Sequence, residues 1–245
     1  MKKLTMILMM VVSLFVTTIC FANEKQIQWQ AVVVHISDSE SMSKDQCNEW
    51  HKGRGWDSCG YNFVIEKDGT IYEGRGINKV GAHTKGYNSK YIGICFVSKN
   101  KATKDQLDTF KKLLVQYELD KLPIYPHANF ANKLCGIEVA KQLGLWKITA
   151  YDGCFKCNHF NMGQTSSGIK PSRITVATNW FKLGTKIKVG EREYIVQDRG
   201  SEAKFGPFNK PMKHVDLFFP THEQASKFGV KYMQVTEILN KGENK

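Results

Sequence analysis

The stretch IQWQAVVVH, residues 27–35, decides how the chain is read. Ala31 and three consecutive valines suit a strand buried on both faces, because a strand with one wet face would alternate polar with apolar residues. Such a strand implies a sheet covered on both sides. It ends at His35, at the edge of an α/β sheet where ligands gather.

The flanking segments supply the rest of that sheet and its cover. SKDQCNEWHK, residues 43–52, reads as a helix. GYNFVIEKDGTIYEGR, residues 60–75, reads as a hairpin turning at Asp68-Gly69, and strict alternation places Tyr61, Phe63 and Ile65 on one face. YIGICFV, residues 91–97, is another strand. Thr103 followed three residues later by Gln106 is a capping box, and Leu107, Phe110, Leu114 and Tyr117 recur behind it at helical spacing. A last helix is expected through EVAKQLGLW, residues 138–146. The sum is a mixed α/β domain with a central sheet flanked by helices.

Beyond Trp146 the texture changes to short β-rich runs separated by Gly and Pro: RITVATNW, TKIKVGEREYIVQD and HVDLFF. SEAKFGPFNKP reads as a loop, and THEQASKFG as one short helix capped by Thr221. A small all-β barrel is the expectation, with two abutting domains over residues 23–147 and 148–245.

Residues 1–22 have a basic start, an apolar run and Ala22 ahead of polar Asn23, so an export signal cleaved after Ala22 is expected. An uncleaved anchor is the alternative, the run being close to the lower limit of a span of about 20 residues. Bulky Ile19 before Cys20 argues against lipidation. The expected location is secreted or periplasmic, with membrane contact only through the signal segment during export.

Cleavage removes Lys2 and Lys3 and no acid, taking the formal charge from +12 to +10, and both domains share the excess. A basic field attracts polyanions. Export argues against nucleic acid, and no helix-turn-helix or RNA-binding signature is present. Of the remaining cysteines, Cys95 sits in an apolar strand as a core thiol, Cys47 and Cys59 flank a helix and turn, and Cys154 and Cys157 form a CxxC for which a structural disulfide is the leading reading.

The chemistry concentrates in YPHANFANKLCG, residues 125–136. A catalytic zinc commonly takes three protein ligands and keeps one open position, and His35, His127 and Cys135 are donors of the right kind. Spacing alone leaves His127 and Cys135 open between two buried residues and two thirds of a metal site.

The segment CNEWHKGRGWDSCGYNFVIEKDGTIYEGRGINKVGAHTKGYNSKYIGICFV resembles the zinc-dependent N-acetylmuramoyl-L-alanine amidases of the phage-lysozyme type and the peptidoglycan recognition proteins, over about residues 30–145. By that resemblance His35, His127 and Cys135 bind Zn2+, Tyr61 and Lys133 are catalytic, His83 lies on the substrate side, and peptidoglycan is the partner. His51 packs or caps its helix. One departure is Gly136, where family members commonly have proline after the metal cysteine.

The later runs, ITAYDGCFKCNHFNMGQTSSG, ITVATNWFKLGTKIKV, YIVQDRG and HVDLFFPTHEQASKFG, are similar to the three-aspartate double-psi β-barrel of lytic transglycosylases. Asp198 and Asp216 match two of its acids and Asn179 replaces the third. The resemblance implies Asp216 as catalytic acid, with Asp198 and Asn179 toward substrate. Glycan binding without cleavage, aided by Trp180 and Phe181 as stacking groups, stays open beside it. The implied activity is peptidoglycan amide hydrolysis, with a bifunctional enzyme or a non-catalytic wall-binding module as alternatives.

Overall fold

The computed structural model describes residues 27–154 and 163–239. The expected signal segment, and Cys157 of the CxxC, lie outside the described residues.

The first sheet has five strands in the order β3-β2-β4-β1-β5. They are β1 (Ala31–Ile36), β2 (Phe63–Ile65), β3 (Ile71–Glu73), β4 (Tyr91–Phe96) and β5 (Ile124–Pro126). β1 lies parallel between β4 and β5, β2 is parallel to β4, and β3 closes the hairpin antiparallel to β2. Alternation then sorts the side chains. Val32, Val34, Ile92, Ile94, Phe96, Phe63 and Ile65 point into one core, closed by Phe110, Leu113 and Leu114 of α2 (Lys104–Gln116) and Val139 of α3 (Ile137–Gln142). Fully buried Phe110 anchors that layer, and its truncation to alanine is worth about 3–5 kcal/mol.

The opposite face carries Val64, Cys95 and Val97 against Met42, Cys47 and Cys59. There α1 (Lys44–Lys52) starts from Ser43 with a full capping box to Gln46. A Cys47–Cys59 disulfide ties that helix to the following loop. The His51 ring accepts the Gly60 N–H at 2.9 Å and stacks on Trp56, the structural role expected of it.

Tyr61 departs from the expected alternation. The strand begins only at Phe63, and the bend at residues 61–62 turns Tyr61 onto the α1 face while Phe63 and Ile65 enter the other core. Asn62 makes the bend. Its buried amide donates to Gly76 O and Lys79 O at 2.8 Å each and accepts from Gly93 N at 2.9 Å, so one side chain joins three segments.

The second sheet opens at Trp146, so the helix expected through that residue stops at Gln142 and turns at left-handed Gly144. Its seven strands run in the order β11-β6-β10-β7-β9-β8-β12. They are β6 (Trp146–Tyr151), β7 (Thr175–Ala177), β8 (Lys186–Val189), β9 (Arg192–Asp198), β10 (His214–Phe218), β11 (Lys231–Met233) and β12 (Val235–Glu237). Two pairings, β6 with β10 and β7 with β9, are parallel. Trp146, Ile148, Val176, Ile187, Val196 and Val215 fill the interior.

The segment expected to be a loop holds helix α4 (Glu202–Phe205), because Phe205 is buried face to face on His214 at 4.1 Å. α5 (His222–Phe228) is capped by the Thr221 side chain as expected. The two sheets meet where Asn129 brackets the Tyr232 backbone, donating to its carbonyl at 2.8 Å and accepting its N–H at 2.9 Å.

Candidate metal centre

Three segments far apart in sequence converge beyond the end of β1. His35 is brought by β1, His127 by the 3-10 turn His127–Asn129 that follows β5, and Cys135 by the loop into α3. Their donor atoms all lie within 4.8 Å of one another, and His35 Nδ1 is 3.9 Å from Cys135 Sγ. A tetrahedral ion with bonds of about 2.1 Å to nitrogen and 2.3 Å to sulfur spaces such a pair by about 3.6 Å, so the donors fit a divalent transition ion of the zinc type. Gly136 sets this loop. At φ +81° it adopts a conformation closed to proline, and an added Cβ would meet Val34 O at 2.4 Å.

Hydrogen bonding fixes which nitrogen faces the other donors. His83 Nε2 lies 3.2 Å from Tyr91 O, an acceptor only, so Nε2 bears the proton and Nδ1 is left to accept. His83 Nδ1 sits 3.1 Å from His35 Nε2, which therefore donates, leaving the His35 Nδ1 lone pair directed toward Cys135. Thr84 Oγ1 at 2.9 Å shares the same His83 acceptor. His83 was expected on the substrate side. It is nearly buried beside His35 and also lines the cavity over the donors, in space that exists because residue 93 is glycine: a Cβ there would stand 2.4 Å from the imidazole.

Burial pushes His35 well below the ordinary histidine range, helped by His83 and His127. Burial and then Lys133 lower His127. Both rings are thus neutral at pH 7 with lone pairs to offer. Burial raises the Cys135 thiol, partly offset by the Ile36 N–H donated to its sulfur at 3.5 Å. Ligation would remove the thiol proton.

A cavity of about 660 Å3 opens over these donors, lined also by Tyr61, Lys133, Arg54 and Trp56. The Tyr61 ring lies 5.1 Å from that of His35, and burial, with Cys95 and Cys135 nearby, holds its phenol well above the usual value, hence protonated. Lys133 is exposed at the rim. Sequence reasoning placed Tyr61 and Lys133 near the donors but missed Arg54 and Asn62. Arg54 stood in the quoted GRGW run, whereas nothing local marks Asn62.

A second cleft of about 370 Å3 lies on the second sheet, with Tyr151, Asp198, Lys204, Asp216 and His222 among its walls. Burial raises Asp216 to about 6, and the Thr149 hydroxyl donates to its Oδ1 at 2.7 Å. Asp198 accepts from Tyr151 at 3.1 Å and from the Ser166 hydroxyl at 2.7 Å. Asn179 does not face this cleft as expected. Its buried amide donates to Gly200 O at 3.0 Å and Gly206 O at 2.8 Å, so it braces backbone where the resemblance has an acid. Phe181 stacks on Trp146 at 5.4 Å and Trp180 packs edge-on at 5.0 Å, and neither of these two expected stacking groups is among the residues lining the cleft. Asp152 takes the His222 ring at 3.0 Å and the Cys154 N–H at 2.8 Å.

Fold and donor set together define an α/β protein with a three-donor site at one sheet edge. Residues 25–140 match the family model described as N-acetylmuramoyl-L-alanine amidase. The endolysin of Klebsiella phage KP32 is 32% identical over 124 residues, covering 45% of this chain and 82% of that relative. The endolysin of Escherichia phage T7 is 43% identical over 70 residues, covering 27% of this chain and 46% of its own length. Peptidoglycan-recognition protein 2 of Holotrichia diomphalia is 39% identical over 94 residues, 34% of this chain and 50% of that one. Among solved structures, the Apis mellifera PGRP-SA gives a TM-score of 0.44 at 33% identity, over 48% of this chain and 82% of the other. The chain spans most of the Klebsiella phage relative and half or less of the other two. It belongs to the N-acetylmuramoyl-L-alanine amidase family and is a hydrolase.

Proposed function

We propose that the protein is an exported peptidoglycan hydrolase that cleaves the amide between the lactyl group of N-acetylmuramic acid and L-alanine. The convergence of His35, His127 and Cys135 supports it most. A zinc ion held by these residues would polarise the carbonyl and lower the pKa of a water from about 16 towards 7. His83 keeps His35 in the tautomer that ligation needs. As the carbonyl oxygen gains negative charge, the ammonium of Lys133, which lines the same cavity, would stabilise it. Tyr61, protonated and beside His35, can donate its hydroxyl proton in a hydrogen bond to the reacting group.

Purified protein is expected to release stem peptides with free L-alanine amino groups from cell-wall sacculi, and chelation is expected to stop the release. Release that persists in EDTA overturns the zinc mechanism. Sacculi bound without any release would favour a recognition role of the kind suggested by the peptidoglycan-recognition relatives.

For the second sheet we propose a glycan-directed double-psi barrel. Its two parallel strand pairs and the cleft acids Asp198 and Asp216 support that reading. A carboxyl raised to about 6 suits a group that protonates a glycosidic oxygen and then takes a proton from the sugar's 6-hydroxyl. Anhydromuramic products lost in Asp216→Asn would establish cleavage; their absence from the wild type leaves a glycan-binding barrel.

A further inference from the structure

We infer that the groove between the two sheets is a further subsite of the amide-cleaving centre, one that holds a carboxylate of the substrate's stem peptide. This rests on the amidase reading above. The groove encloses about 550 Å3 between Lys133, Leu134 and Ile137 of the first sheet's loop and Lys147, Val230 and Tyr232 of the second. Lys133 and Leu134 line it and also line the cavity over the metal donors, so the two spaces meet at one ridge. A chain bound across the donors past Lys133 enters the groove.

Its chemistry selects what enters. Two lysines line it, one from each sheet, and no Asp or Glu is among its lining residues. Leu134 is 82% exposed and Val230 51%, apolar surface that an aliphatic side chain would cover. Lysines beside aliphatic surface match a carboxylate-bearing peptide better than a neutral sugar, which is held by aromatic stacking and amide groups. The walls are also fixed in place. The Asn129–Tyr232 bracket joins the His127 turn to β11, and Lys231 Nζ donates to Asn129 O, so the spacing between scissile site and subsite is set by buried hydrogen bonds. On this reading the second sheet belongs to the amidase site itself, independently of any glycan chemistry in its own cleft.

The test compares two muramoyl tripeptides, one with free peptide carboxylates and one with those groups amidated, as substrates of the zinc-loaded full chain. Lys147 is exposed, so Lys147→Ala is expected to fold. The wild type should prefer the acidic substrate, and Lys147→Ala should lower that preference about fivefold, in KM rather than kcat, as for loss of one partly exposed ion pair. Val230→Asp, which sets a like charge in the same wall, should lower it further. Equal preference in wild type and both variants overturns the subsite while leaving amidase turnover intact. A wild type that hydrolyses neither substrate overturns the amidase reading itself, and the subsite with it.

Discussion

Asp216→Asn is expected to make the protein more stable, and only where the wild-type carboxyl is ionised. Burial in the cleft raises Asp216 from 3.8 to about 6, against the opposing help of the Thr149 hydroxyl and of Lys204 and Lys147. The folded state therefore favours the protonated acid. Below about pH 4 the group is neutral folded and unfolded, and it costs nothing. Between about pH 4 and pH 6 the unfolded chain ionises first, and stability falls with rising pH until the folded group has ionised too. At 1.36 kcal/mol per pKa unit, a displacement of about two units corresponds to about 3 kcal/mol, and the open side of the cleft brings the expectation nearer to about 2 kcal/mol. Asparagine keeps an oxygen to accept from Thr149 and has no charge to desolvate. The variant should match the wild type at pH 4 and exceed it by about 2 kcal/mol at pH 8. Urea unfolding followed by tryptophan fluorescence measures this, since Trp146 opens the second sheet and Trp180 packs edge-on to it. A difference independent of pH, or a variant weaker at pH 8, would refute the account of Asp216 as a carboxyl held against its preference for water.

Two further outcomes follow from the first sheet. His83→Leu should weaken zinc binding by about 10- to 100-fold, read by competition with a chromogenic chelator, whereas His83→Asn, which keeps an acceptor near the position of Nδ1, should retain most of the affinity. Replacing Cys47 and Cys59 by serine opens a bridge of sequence separation 12, and the loss should be about 3 kcal/mol in chemical unfolding, absent when wild type is measured reduced.

The second sheet is the less legible from local sequence. β11 and β12 are three residues each, too short for any periodicity, and they exist because β6 and β8 offer them edges to pair with. α4 looked like a loop for a similar reason: four residues show no amphipathic stripe, and only the pocket against His214 gives Phe205 a place to bury. In the first sheet, alternation fails at Tyr61 because Asn62, a polar residue with no distinguishing neighbours, finds its three backbone partners only in the assembled fold.

The amino-acid sequence by itself determined the α/β sheet and the capped helix α2 and, through the resemblance to amidases, named His35, His127 and Cys135 as candidate donors, since buried-strand composition, capping boxes and motif order are all local properties of the chain. Tertiary structure alone decided that His83 stands beside His35, that Gly136 takes a conformation proline cannot, and that the second sheet closes on the loop bearing His127. Those facts depend on distances between residues separated by tens of positions, and a hydrogen bond between side chains exists only after packing has brought its two ends together.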